Sequence, residues 1–145
     1  MQRLPLCDLI TAAVLCLMVA VGCSRASSGK FLPVEGHVTV NGNPLTTGSV
    51  TFHPDAAKGN MTQHLPTGTI DSQGNYKLLS ATKAGAPPGW YNVSISAQGP
   101  IDAKNPYAPP KHLIDPKYAD VASSGIAIQV MAPPAPGAYD IKLAK

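Results

Sequence analysis

Two histidines occupy matching places in the first two predicted strands. If residues 34–40 and 49–54 pair as an antiparallel hairpin whose residue numbers sum to 90, His37 faces His53 on the outer side. Their Cβ atoms would then lie about 5 Å apart, which allows two imidazoles to share a zinc or copper ion. The alternative is a solvated pair on an edge hairpin, because the sequence fixes no third ligand beyond a neighbouring carboxylate of Glu35 or Asp55.

Residues for covalent or acid–base catalysis do not fall into a recognisable pattern. The serines form no Gly-x-Ser-x-Gly motif, and no phosphate loop or dinucleotide fingerprint is present. Glu35 is the only glutamate, and the aspartates offer no convincing pair for glycoside hydrolysis. We therefore expect the chain not to be an enzyme and to need no cofactor.

Three aromatic residues suggest a binding surface instead. Trp90 precedes Tyr91 on a predicted strand, so that an inward Tyr91 places Trp90 outside. With Tyr107 and Tyr118, an exposed Trp90 could stack on a sugar or contact a partner protein. The alternative is that the proline-rich loop of residues 98–123 simply covers Trp90.

The N-terminal segment has the pattern of an export signal. Arg3 precedes an apolar run over residues 9–21 that is broken only by Thr11. A run of this length is too short to cross a bilayer, which needs roughly 20 residues, but it matches the apolar part of a signal peptide. A short membrane anchor or a buried helix is the alternative.

The end of this apolar run resembles the bacterial lipobox. Ala20-Val21-Gly22 places small residues before Cys23, although the family usually has Leu at the position of Ala20. The resemblance implies cleavage after residue 22, acylation of Cys23 and attachment to a lipid bilayer. Residues 23–33 would then hold the lipidated cysteine and a flexible tether. The other two cysteines, Cys7 and Cys16, would leave with the signal peptide, so that no free thiol would remain.

The rest of the chain, residues 34–145, is predicted to be one all-β domain. It is rich in Pro and Gly and poor in charge, and apolar residues alternate with polar ones over seven segments. The predicted strands are residues 34–40, 49–54, 67–70, 75–80, 90–97, 126–130 and 139–143. Their order suits a seven-stranded Greek-key β-sandwich. The Pro-rich loop of residues 98–123 would be pinned to it by Tyr107, Leu113, Ile114 and Tyr118, with Asp115 capping one helical turn.

Several motifs in this order resemble a carboxypeptidase regulatory-like domain, which is a transthyretin-like (prealbumin-like) β-sandwich. They are VEGHVTVNGNPL at 34–45, GSVTF at 48–52, GTID at 68–71, GNY at 74–76 and PGWYNV at 88–93. The long loop ending in IDPKY at 114–118 is similar to the version found in short lipoproteins of planctomycete-type bacteria. The resemblance implies an accessory module without catalytic residues. A hydroxyisourate hydrolase is not expected, since that related family ends in Tyr-Arg-Gly-Ser.

Together these features predict a non-catalytic lipoprotein of the bacterial cell envelope. The net charge of +3 is spread along the chain, whereas nucleic-acid binders concentrate Lys and Arg on one face. Ser24 follows the lipidated position where inner-membrane retention typically uses Asp, which favours the outer membrane facing the periplasm. The expected partners are the lipid bilayer and an envelope protein or glycan, with metal binding by His37 and His53 as a further alternative.

Overall fold

Strands form where the sequence alternates apolar and polar residues, since successive side chains of a strand point to opposite faces. A computed structural model describes residues 30–101 and 103–144, and this part of the chain is all-β, with two sheets. Its ten strands are β1 (Glu35–Val40), β2 (Asn43–Pro44), β3 (Ser49–Pro54), β4 (Thr67–Thr69), β5 (Asn75–Lys77), β6 (Leu79–Ser80), β7 (Lys83–Ala84), β8 (Gly89–Ser96), β9 (Ile126–Val130) and β10 (Ile141–Leu143).

The smaller sheet is built around β1. The last strand, β10, runs parallel to β1 on one edge, with Val38 opposite Ile141. Strands β2 and β5 pair antiparallel with the two halves of β1, and Gly36 lies opposite Tyr76. The first and last strands of the domain are therefore direct neighbours.

The larger sheet has the order β7-β6-β4-β3-β8-β9. Its longest ladder joins β3 to β8 over six residue pairs, from Ser49 opposite Ser96 to Pro54 opposite Tyr91. Residues from both sheets bury one shared apolar core, which includes Val38, Val50, Phe52, Tyr76, Leu78, Tyr91, Val93, Ile95, Val130 and Ile141. Burial of this set is the main force that stabilises the domain.

The predicted hairpin between residues 34–40 and 49–54 is wrong. Asn41 and Gly42 both have positive φ, at 50° and 84°, which is the geometry of a two-residue hairpin turn. The chain therefore folds back at once, and Val40 pairs with Asn43 instead of Val50. Residues 45–48 then cross to the larger sheet, where β3 pairs with β4 and β8.

Other predicted segments agree more closely with the structure. The turn at residues 71–74 forms, with the Gly74 N–H donating to the Asp71 carbonyl at 3.0 Å. The segment 75–80 divides into β5 and β6, because the chain passes from the smaller to the larger sheet at the buried Leu78. Asp115 caps the 3₁₀ helix Pro116–Ala119 by accepting from the Lys117 N–H, as predicted.

Predictions for the N-terminal segment lie outside the described residues. These are the signal peptide at residues 1–22 and the acylated Cys23 with most of its tether. Within residues 30–101 and 103–144, no helix is long and apolar enough to cross a bilayer.

Candidate functional site

The outer face of the larger sheet presents a row of polar side chains to solvent. Residues of β3 and β8 that alternate with the core point outward, and cross-strand pairs place Thr51 beside Ser94 and His53 beside Asn92. Further toward the start of β8, Trp90 pairs with Gln129 of β9. Hydroxyl, amide, imidazole and indole groups therefore share one surface, which we call the outer face; it comprises Ser49, Thr51, His53, Thr67, Thr69, Trp90, Asn92, Ser94, Ser96, Ala127 and Gln129.

Trp90 lies at one end of the outer face and is half-buried, while Tyr91 points into the core. This confirms the predicted opposition of the two rings. The ammonium of Lys58 lies 4.3 Å from the centre of the indole ring, within cation–π distance. Asp55 holds Lys58 through an ion pair of 3.7 Å. One side of the indole is thus covered by a cation from the loop of residues 55–66.

Asn60 fixes this loop against β8. It is a buried polar residue whose Nδ2 donates to the Trp90 carbonyl at 2.8 Å and whose Oδ1 accepts from the Thr62 N–H at 3.3 Å. A Cβ on Gly89 would lie 2.8 Å from the Asn60 side chain, so the close approach requires glycine there. Sequence patterns could not identify this role of Asn60, because it depends on a contact with a strand thirty residues away.

His53 and Ser94 make the contact on the outer face that most resembles catalytic machinery. Nε2 of His53 lies 2.9 Å from Oγ of Ser94, as in a nucleophile–base pair. No carboxylate of the described residues forms an ion pair with His53. The surrounding backbone N–H groups belong to strand ladders, whereas an oxyanion hole needs free donors. The contact orders two side chains on a sheet surface.

His37 and His53 do not come together, contrary to the hairpin that placed them side by side. His37 lies on β1 in the smaller sheet, where its Nε2 is 2.8 Å from the Gln73 carbonyl oxygen. Its backbone N–H donates to Asp140. Among the described residues, no group of three or more His, Cys, Asp or Glu side chains could hold a metal ion. Of the flanking carboxylates, Glu35 pairs with Lys77 at 2.9 Å and Asp55 with Lys58.

The two predicted tyrosine partners of Trp90 have different environments. Tyr118 is 7% exposed and its hydroxyl accepts from the Ala144 N–H at 3.2 Å, so it pins the long loop as expected. Tyr107 is 95% exposed, and the expectation that it pins the loop is wrong. Loop 98–123 is instead held by the buried Ile114 and Tyr118 and by the partly buried Leu113.

An open groove of about 450 Å³ lies beside β4 and β5. Thr67, Thr69, Lys77 and the half-exposed Leu79 line it, together with Asp71. Backbone N–H groups of Asn75 and Gln73 donate to the Asp71 carboxylate and lower its pKa. This carboxylate is therefore committed to the turn and is a poor candidate for a proton donor.

Comparison with known proteins adds no relative. No family model, no curated protein and no solved structure matches this chain.

Proposed function

We propose that this chain is an exported lipoprotein of the bacterial cell envelope, anchored by acyl chains on Cys23. Its β-sandwich would act as a non-catalytic binding or structural module. The observation that carries the proposal is Ala20-Val21-Gly22-Cys23 directly after the apolar run of residues 9–21. An extended backbone with small side chains suits the peptidase that would cleave before the cysteine.

The start of the folded domain supports this assignment. Leu32, nine residues after Cys23, already exchanges two backbone hydrogen bonds with Ala86, at 2.9 and 3.0 Å. No cysteine follows Cys23 in the sequence, and the domain therefore needs no disulfide. Stable attachment would require several acyl chains, because a single chain binds a membrane only marginally. Ser24 favours the outer membrane.

The proposal also includes a fold type for the domain. We assign the domain to the Greek-key sandwiches of the transthyretin-like, carboxypeptidase regulatory-like type. Its support is the order of the motifs at residues 34–45, 48–52, 68–71, 74–76 and 88–93, together with two sheets whose first and last strands, β1 and β10, pair in parallel. In that family such modules accompany other proteins and carry no catalytic residues of their own.

Metabolic labelling with a fatty acid tests the anchor. The chain with Cys23→Ala should incorporate no label, whereas Cys16→Ala, a matched change within the leader, should leave labelling intact. Label on the Cys23→Ala protein would refute acylation at this residue.

A second candidate is binding of a neutral glycan on the outer face. The observation that favours it is Trp90, half-buried at one end of the outer face, with the amide side chain of Gln129 opposite it on β9. Sugars are commonly bound by an aromatic ring with surrounding hydrogen-bonding groups. A glycan array probed with dye-labelled protein should then show binding that Trp90→Ala removes and Tyr107→Ala preserves. Absence of binding to every neutral glycan on the array would refute this candidate.

A further inference from the structure

One end of the sandwich gathers the point where the chain enters the domain and three loops. Leu32 is hydrogen-bonded to Ala86, in the segment between β7 and β8. The Phe31 ring lies 5.2 Å from the His64 ring, and Lys83 Nζ lies 4.9 Å from the centre of Phe31. We call this region the tether-proximal end; it comprises Lys30, Phe31 and the segments of residues 55–66, 81–88 (which includes β7) and 131–138.

The tether-proximal end exposes large apolar side chains. Met61 is 78% exposed, and Leu65 is 51% exposed next to His64 in the same loop. Met131, 44% exposed, follows Val130, which pairs with Gly89; Gly89 in turn packs against Asn60, the neighbour of Met61. These contacts connect Met131 to Met61 across the end of the sandwich. Met61, Leu65 and Met131 therefore expose apolar side chains on adjoining loops of one end of the sandwich.

The charges at this end favour an anionic partner. Lys30, Lys58 and Lys83 occur in its segments; the acids there are Asp55, which pairs with Lys58, and Asp140, which closely follows residues 131–138. Glu35, at the start of β1, is already paired with Lys77. The surface therefore carries an excess of positive charge around its apolar side chains, which is the complement of phosphate headgroups.

The length of chain before the fold brings this end close to the proposed anchor. Eight peptide steps separate Cys23 from Phe31, and a fully extended chain spans at most ~3.6 Å per residue, or roughly 29 Å in all. The far end of the domain carries the long loop with Tyr107, beyond Ala97 and Gly99, which bond to Leu113 and Lys111. The apolar, basic surface thus lies on the side that the tether holds nearest the lipid.

We propose that the tether-proximal end rests on the bilayer, with Met61 and Leu65 reaching the acyl boundary and Lys30 and Lys83 contacting lipid phosphates. The inference depends on the proposed acylation of Cys23 and adds an orientation to it. The long loop and Tyr107 would then face away from the membrane, toward any partner.

An environment-sensitive fluorophore can report this orientation on the full acylated protein. Met61→Cys and Tyr107→Cys, both at exposed sites, would be labelled with a nitrobenzoxadiazole dye and reconstituted in vesicles of phosphatidylethanolamine and phosphatidylglycerol. We expect several-fold stronger, blue-shifted emission at position 61 and quenching by lipid-borne nitroxides, with water-like emission at position 107. In phosphatidylcholine vesicles the response at position 61 should weaken, because the anionic headgroups are missing.

Failure of the inference and failure of the proposed function give different results. If mass spectrometry shows acyl chains on Cys23 but both dyes report water, or both report lipid equally, the orientation is refuted and the anchor stands. If Cys23 carries no acyl chain, the proposed function is refuted and the orientation loses its basis. Circular dichroism on both labelled variants checks that each retains the β-rich fold.

Discussion

Tyr76 provides a direct test of how the C-terminal strand is held. Its hydroxyl donates to the Tyr139 carbonyl at 2.6 Å in a buried site, just before β10 begins. Tyr76→Phe keeps the ring and its packing but leaves that carbonyl without this donor. Loss of a buried hydrogen-bond partner costs about 1–3 kcal/mol, so the free energy of unfolding should fall by that amount.

The same side chain predicts a pH dependence of known sign. Burial, followed by the charge of Asp140, raises the pKa of Tyr76 well above its usual range. The folded state therefore disfavours the tyrosinate, while the unfolded chain ionises near pH 10. The stability that Tyr76 contributes is fully present below about pH 10 and is lost as pH rises toward the raised pKa. The difference in the free energy of unfolding between wild type and Tyr76→Phe should therefore decrease by about 1.4 kcal/mol per pH unit above pH 10.

Urea unfolding followed by Trp90 fluorescence at pH 7 and pH 11 measures both effects. Tyr107→Phe is the matched control, since its 95% exposed ring should change stability by less than about 0.5 kcal/mol. If Tyr76→Phe and Tyr107→Phe unfold at the same urea concentration at pH 7, the hydrogen bond to Tyr139 does not stabilise β10 and this reasoning is wrong.

Three further predictions follow from the turns and the outer face. Asp71→Asn should make the stability of the fold less dependent on pH below about pH 4. The pKa of the Asp71 carboxyl is lowered in the folded state, so its contribution to stability is fully present above about pH 4 and is lost as pH falls further. Thermal unfolding between pH 7 and pH 2 measures this, and an unchanged pH dependence in the variant would contradict it. Gly48→Ala should destabilise the fold more than Gly42→Ala, since both residues have positive φ but only a Cβ at position 48 meets a neighbour, a carbonyl oxygen at 2.5 Å; equal unfolding midpoints would count against the close approach. Ser94 should not react with a fluorophosphonate probe, because its histidine lacks an orienting carboxylate among the described residues; a labelled serine, lost in Ser94→Ala, would make the chain a candidate hydrolase.

The strand positions could be read from the sequence because alternation depends on nearest neighbours alone. Val50, Phe52, Tyr91, Val93 and Ile95 all face the core as the period-two pattern requires. Local turn chemistry was equally readable at residues 71–74.

Pairing partners could not be derived in the same way. The turn at Asn41 and Gly42 joins β1 to β2 within the smaller sheet, and the next strand, β3, belongs to the larger sheet. The predicted metal site of His37 and His53 required β1 and β3 to pair in the assumed register. Because these strands lie in different sheets, the prediction of that site is wrong as well. The covering of Trp90 by Lys58 depends likewise on a loop packing against a distant strand.

The mass of the mature N-terminus tests the central claim most directly. If the protein is anchored as proposed, its first residue in membrane fractions is Cys23 and the peptide carries the added mass of several acyl chains. A mature chain that begins elsewhere, or a Cys23 recovered as a free thiol, would contradict the account.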